Sequence, residues 1–340
     1  MILEVEPRVL RLCLPFATAF GVVERRSLLA VRLRADDGTT GCGEAAPLEP
    51  YDGVGLAAVR AEIESCRDIL ADGDSAPHGE LLDACRPRCS LPQSLAALDV
   101  ALWDLAGRRA HLPVARLLAS DAAAQVPVNS TIGATDPAEA ASQAEAAVAT
   151  GFRCLKLKVG VDGDAGRLTA VRAAAGRGVA IRLDANGAWS VEEAVRALRR
   201  FGIRGIELCE EPVHGVEPLR AVRAALEGRV AIAMDETASQ PGAVASAATD
   251  AVCLKIAGAG GISGVIDAAR VARAAGSEVY LASTLDGPVG IAAGLHAAAA
   301  LRVQRPCGLA TLDLFADAPD PFPARRGAIA VPDRPGLGMP

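Results

Sequence analysis

At 340 residues the chain is too long for one small domain. It fits a large α/β barrel with or without a second unit, and two unequal units are expected. Apolar residues make up 51% of it but aromatics only 3%, so Ala, Val, Leu and Ile must build the core, which suits helices packed on parallel strands. The net charge of -6, with arginines dispersed along the chain, argues against a nucleic-acid partner, and every long apolar run is broken by Arg, Asp or Gly, which argues against a membrane span.

Acids and Arg within residues 1–12 stand where an export signal needs an unbroken apolar stretch, so a cytoplasmic protein is expected. Nine cysteines, an odd count scattered from Cys13 to Cys307 with no CxxC pair, fit reduced thiols better than a disulfide frame or a zinc site.

Three β-like runs open the chain at 2–14, 27–34 and 39–45, with Asp36-Asp37-Gly38 turning the chain between the last two. They predict an antiparallel meander. Helical patterns follow at 55–70 and 91–108, the second with Pro92 in its first turn. Residues 1–120 are thus expected to form a small α+β unit. From Val126 on, short apolar strands alternate with Ala-rich helices, the pattern of a parallel sheet with helical crossovers. Strands are predicted at 126–132, 154–159, 180–183, 205–209, 231–234, 251–256, 279–282 and 308–312. Their regular spacing predicts a closed (β/α) barrel over 121–314. The Pro-, Asp- and Gly-rich remainder, 315–340, is expected to pack back on the rest of the molecule.

In such a barrel reactive groups collect at the carboxyl ends of the strands. The second predicted strand ends on Lys156-Leu157-Lys158, the third on Asp184-Ala185-Asn186, the fourth on Glu210-Glu211-Pro212, the fifth on Asp235-Glu236-Thr237, and the sixth carries Lys255. Residues two apart on a strand share a face, so Lys156 and Lys158 both point into the barrel mouth, where mutual repulsion would loosen one proton. Asp184, Glu210 and Asp235 end adjacent strands and would converge; such a cluster repels itself unless a hard cation sits within it, and oxygen ligands without His or Cys suit Mg²⁺ or Mn²⁺. Lys255 lies across the mouth, so a substrate carbon between Lys158 and Lys255 could lose or gain a proton on either face. Taken singly, each residue reads as a surface lysine, a turn or a helix cap; it is their arrival in strand order that is specific. Asn186 and Glu236 read equally as partners of these groups or as local caps. Arg182, one layer deeper, is expected to pair with an acid.

This pattern of Lys-x-Lys, Asp, Glu, Asp and Lys resembles the enolase superfamily, and within it the muconate-lactonizing subgroup, over nearly the whole chain. The superfamily is a known case of Lys bases working with Mg²⁺. The resemblance implies an enolase-like modified TIM barrel under an N-terminal capping domain, with Phe16, Phe20 and Tyr51 on loops covering the mouth. It implies a small-molecule carboxylate substrate, loss of the proton next to that carboxylate through an enediolate, and a homo-oligomer. Residues 283–294 look most like o-succinylbenzoate synthases, which implies dehydration, with epimerisation, racemisation or cycloisomerisation as the alternative. Ser283, Thr284, Asp286, Thr311 and Asp313 are the further candidates for substrate contact. Many dipeptide epimerases carry Asp-x-Asp at the eighth strand; here Thr311-Leu312-Asp313 keeps one of the two acids.

Overall fold

The computed structural model describes residues 1–18, 21–201, 205–317 and 320–339. An antiparallel sheet comes first, with β1 (Ile2–Thr18), β2 (Gly21–Arg34) and β3 (Thr40–Ala45) side by side in that order. The predicted meander is present, but its first two strands run further than expected and form a long ribbon. Their register shifts between Arg11 and Phe16, where Pro15 has no N–H for the ladder and a bulge absorbs the extra residues. Six helices follow: α1 (Glu49–Asp52), α2 (Leu56–Ser65), α3 (Arg67–Asp72), α4 (His78–Cys85), α5 (Pro92–Ala110) and α6 (Val114–Leu118). The single helix expected at 55–70 is interrupted at Cys66. Helix α5 starts on Pro92, whose missing N–H costs nothing in a first turn. It lies directly on Gly41 and Gly43 of β3, where any side chain would strike the α5 backbone.

The second unit comprises β4 (Gln125–Pro127), β5 (Ser130–Ile132), α7 (Pro137–Ala149), β6 (Cys154–Lys158), α8 (Asp164–Ala175), β7 (Ala180–Asp184), α9 (Val191–Arg200), β8 (Ile206–Glu210) and α10 (Val216–Leu226). It continues through β9 (Ala231–Met234), β10 (Ala251–Leu254), α11 (Ile256–Ala259), α12 (Ile262–Ala274), β11 (Glu278–Leu281), α13 (Pro288–Ala300) and β12 (Ala328–Ala330). Strands β5 to β11 form one parallel sheet in chain order. Helix starts follow local chemistry: the Asp136 carboxylate accepts the Ala138 and Glu139 amides of α7, and Ser190 and Glu193 form a capping box on α9.

Two of the eight predicted barrel strands differ. The first is split at Pro127: β4 pairs antiparallel with β12, and only β5 joins the barrel beside β6. The eighth is not a strand; Cys307 and Gly308 make single bridges to Val128 and Ala282, and Leu312–Leu314 coil into a 3-10 turn. Pro306 offers no N–H, and Leu309, Ala310 and Thr311 leave the strand direction before the turn, so only Cys307 and Gly308 pair. Those two still close the ring: the amides of Cys307 and Gly308 reach the carbonyls of Pro127 and Leu281, and their carbonyls take the amides of Asn129 and Ser283.

Apolar side chains gather into one cluster in the first unit, around Leu29, Val31, Ile63 and Leu98, one in the second unit, and one in the second unit that also takes in Val100 of α5 and Val114 of α6. Both faces of the barrel strands are buried, as Ile181, Leu183, Leu208, Cys209, Ile232 and Met234 illustrate. All nine cysteines are free. No helix among the described residues is long and apolar enough to cross a membrane.

Candidate active site

Strand register decides which side chains meet. Lys156 pairs with Arg182 and Lys158 with Asp184 across β6 and β7, and Asp184 pairs with Glu210 across β7 and β8. Lys158, Asp184 and Glu210 therefore end three neighbouring strands at one level. Asp235 follows β9 and Lys255 follows β10 by one residue, which extends the same rim. Two rim residues adopt left-handed backbone, Asn186 with φ 44° and Glu211 with φ 39°. Non-glycine residues hold that conformation only where their surroundings over-determine it.

Here the surroundings are hydrogen bonds. Lys156 Nζ donates to Glu210 Oε1 at 2.6 Å and lies 2.9 Å from Asp184 Oδ2. Lys158 Nζ donates to Asp184 Oδ2 at 2.5 Å and to Asn186 Oδ1 at 2.8 Å, and Asn186 Nδ2 donates in turn to Glu236 Oε1 at 2.8 Å. Lys255 Nζ donates to Asp235 and, at 2.9 Å, to the Tyr51 hydroxyl. The Glu211 carboxylate accepts the Asp235 and Thr237 amides and the Thr237 hydroxyl, and so shapes the turn after β9.

Burial opposes the charge on Lys156 and Lys255, but Asp184 and Glu210 beside the first and Asp235 beside the second outweigh it and hold both well above the usual lysine range. The looser proton expected from repulsion between Lys156 and Lys158 is thus absent at Lys156. Asp184 is raised by burial, yet Lys156 and Lys158 pull it below the usual carboxylate range. Glu210 ends above its usual value: burial pushes it up, and Asp184 and Asp235 add to that against the pull of Lys156. With Glu211 and Glu236 counted, five carboxylates stand at the rim against three lysines.

That excess is what a bound cation would relieve. Asp184, Glu210 and Asp235 are buried and offer only hard oxygen donors. Cys253 lies beside them, its Sγ within 4.8 Å of ligand oxygens of Glu210 and Asp235, and burial, then those two acids, hold its thiol well above the usual range. The residues fit a small divalent oxygen-seeking ion.

Lys156, Lys158, Asp184, Asn186, Asp235 and Lys255 line one cavity of about 110 Å³ at the barrel mouth, joined by Phe16 and Tyr51 from the first unit and by Ser283, Thr284 and Thr311. Phe16 sits near the end of the β1–β2 ribbon and Tyr51 on α1, so neither is on a loop as expected; Phe20 lies outside the described residues. Glu236 stands beside the cavity through Asn186. Ser283 Oγ and Thr311 Oγ1 share a hydrogen bond of 2.9 Å. Asp286 and Asp313 are not brought to this cavity. Asp286 is buried with its Oδ1 accepting the Thr284 amide and hydroxyl, and Asp313 is exposed on the 3-10 turn that replaces the eighth strand.

Sequence reasoning missed Tyr280 of β11, whose hydroxyl donates to Glu210 Oε2 at 2.8 Å. The available signal was a lone tyrosine in a strand buried on both faces, where its hydroxyl needs a partner. The acid paired with Arg182 is Glu207 of β8, and Tyr280 covers the same guanidinium at 4.3 Å.

Fold and site together define a (β/α)-barrel enzyme whose charged groups stand at strand ends beneath an N-terminal unit. A family model described as the mandelate racemase / muconate lactonizing enzyme N-terminal domain matches residues 2–119, and one described as enolase C-terminal domain-like matches residues 139–340. The chain belongs to the mandelate racemase / muconate lactonizing enzyme family of the enolase superfamily. It is 31% identical to the L-Ala-D/L-Glu epimerase of Bacillus subtilis over 96% of this chain and 92% of that protein. Identity to the L-Lys-D/L-Arg epimerase of Methylococcus capsulatus is 33%, over 96% and 94%. A crystal structure of the dipeptide epimerase from Enterococcus faecalis, complexed with Mg and L-Leu-L-Tyr, superposes with a TM-score of 0.90 at 26% identity, covering 99% of this chain and 98% of that one.

Proposed function

We propose that the chain is a Mg²⁺-dependent epimerase or racemase that inverts the α-carbon of an N-acylated amino acid or a dipeptide. The observation that carries this reading is the placement of Lys158 and Lys255. They belong to β6 and to the end of β10, four strands apart in the ring, and both face the same small cavity. A planar carbanion between them would present one face to each. The relatives named above favour this isomerase alternative over the dehydration suggested by residues 283–294.

Asp184, Glu210 and Asp235 would hold the ion, Mg²⁺ being the one bound in the similar E. faecalis structure. When bound, it supplies positive charge to the substrate carboxylate and to the negative charge that develops as the neighbouring C–H bond breaks. Carboxylates engaged in that way no longer hold the lysine protons as tightly. Lys158, oriented by Asn186, then takes the α-proton on one face, and Lys255, oriented by the Tyr51 hydroxyl, returns one on the other; the reverse direction exchanges these roles. Lys156 stays cationic, in line with its two acid partners. Phe16 and Tyr51 cover the mouth and keep water from the carbanion.

The test is solvent-deuterium wash-in with Mg²⁺ and a panel of dipeptides and N-acyl amino acids. Wild type is expected to invert and label a member of the panel. Lys158→Ala and Lys255→Ala should each abolish inversion while still exchanging the one epimer that faces the surviving lysine. Water loss from a cyclohexadiene carboxylate, with neither inversion nor exchange on the panel, would reinstate the dehydratase.

A further inference from the structure

The hydrogen bond from Lys158 to Asn186 depends on the shape of the chain after β7. That chain is a tight turn, Ala185 to Ala188, in which the Ala188 amide donates to the Ala185 carbonyl at 3.0 Å. Both central residues have positive φ, 44° at Asn186 and 72° at Gly187. Asn-Gly is the pair that tolerates such a turn best, yet an asparagine in this conformation persists only where its neighbours confine it. The side chain of Asn186 joins Lys158 to Glu236, so any drift of the turn moves a partner of that lysine.

Two loops confine the turn, one on each side. Gly160, two residues beyond Lys158, lies so close that a Cβ there would stand 2.6 Å from the Ala188 Cβ. On the other side is His214, in the loop after β8. A Cβ on Gly187 would collide with three atoms of its imidazole, so the ring covers Gly187 and leaves no room for a side chain between them. The backbone joins the same two loops: the amides of Ala185, Gly187 and Trp189 donate to the carbonyls of Glu210, Glu211 and Pro212 at 3.1, 2.6 and 3.3 Å. The ring itself is tied by Nδ1 to Glu211 Oε1 at 3.1 Å, and because a carboxylate that takes the Thr237 amide acts as acceptor, Nδ1 carries the proton.

His214 does not line the mouth cavity, and its side chain is 56% exposed. Lys255 is independent of it. That lysine is held by Asp235 and Tyr51, and the turn after β9 keeps its grip on Glu211 through the Asp235 and Thr237 amides and the Thr237 hydroxyl whether or not His214 is there.

We infer that His214 is a positioning residue for the Lys158 half of the site alone: its ring closes the outer side of the Asn186–Gly187 turn and so holds Asn186 Oδ1 on Lys158 Nζ. Without the ring the turn relaxes away from Gly160 and Asn186 withdraws from the lysine, while Lys255 keeps its setting. This inference rests on the proposed proton transfer for its link to catalysis, but not for the packing.

Two measurements separate those parts. Asn186 and Asn129 are the only asparagines in the chain, so protein labelled with 15N-asparagine shows two side-chain amide pairs, which Asn186→Ser assigns. In His214→Ala the Asn186 pair should exchange with water about tenfold faster or more, with the Asn129 pair unmoved and the unfolding temperature little changed. In the second measurement, deuterium wash-in is followed in Lys255→Ala, where Lys158 alone exchanges its epimer, and in Lys158→Ala, where Lys255 does. Mg²⁺ is kept saturating, because the Asn186 amide also donates to Asp184 Oδ1 at 3.1 Å. Adding His214→Ala should slow wash-in about tenfold or more in the first background and leave the second within about twofold. His214→Gln, whose flat amide can donate to Glu211 and lie against Gly187, should recover most of the loss. Equal losses in both backgrounds would make His214 a merely structural residue and overturn the inference, as would an unchanged Asn186 amide. Faster Asn186 exchange without wash-in on any member of the panel would leave the positioning standing and reject the proton-transfer reading.

Discussion

Glu210 shows how much of the site depends on single atoms. One of its oxygens takes Lys156 Nζ and the other takes the Tyr280 hydroxyl, so the carboxylate is held by partners from β6 and β11 at once. Tyr280→Phe removes only the second anchor and leaves the packing volume almost unchanged. Partners of metal ligands commonly hold about tenfold or more of metal affinity. The variant should therefore bind Mg²⁺ about tenfold more weakly in a calorimetric titration while its unfolding temperature changes little; unchanged affinity would remove Tyr280 from the site. Taken singly the lysines read as surface residues and only their arrival in strand order marked them, but the sequence holds a further signal. Lys156, Lys158 and Lys255 are the only lysines in the chain, every other long basic side chain being arginine. The three arrive at one rim, and a lysine can give up a proton in a way that arginine cannot.

At the scale of elements, residues 283–294 suggested a particular reaction, and the structure shows what most of that segment touches. The Gly287 amide donates to Glu44 Oε1 at 2.7 Å, and a Cβ on Gly287 or Gly290 would collide with the Glu44 carboxyl. Arg26 of β2 meanwhile donates to the carbonyls of Leu285, Pro47 and Ala46. The glycines of this segment thus serve the seam between the two units more than the choice of substrate. Gly287→Ala should cost about 1 to 3 kcal/mol by overpacking and raise KM by moving Ser283 and Thr284; chemical unfolding and kinetics check both. Further along, His296 of α13 is buried with Nδ1 accepting the Ala115 amide, and burial lowers it from 6.5 to about 4. Between those values the unfolded chain holds a proton that the folded chain does not, so stability falls as pH drops from 6.5 toward 4. The loss should approach roughly 3 kcal/mol, and in urea titrations His296→Gln should show a flatter slope across that window; an equal slope would reject the assignment.

Across the whole molecule the two units are joined by buried polar contacts as well as by the seam. Asp99 of α5 is fully buried and accepts the amide and hydroxyl of Ser263 at the start of α12, together with His78. The tail adds another tie, with the Leu337 amide on Asp104 and β12 alongside β4. Such coupling predicts a single cooperative unfolding transition, and Mg²⁺ at a hundredfold over its Kd should stabilise the protein by about 2.7 kcal/mol. Calorimetry with and without chelator tests this, since two separated transitions would mean independent units. The sequence by itself determined the barrel and the rim of Lys156, Lys158, Asp184, Glu210, Asp235 and Lys255. Strand periodicity and strand-end chemistry are local, and a parallel barrel delivers successive strand ends to one place whatever packs outside it. Only the tertiary structure decided the closure at Cys307–Gly308, the exclusion of Asp286 and Asp313, the anchoring of Glu210 by Tyr280, and the packing of His214 on Gly187. Each of these depends on residues far apart in the chain coming within a few ångströms of each other, and no local pattern records that distance.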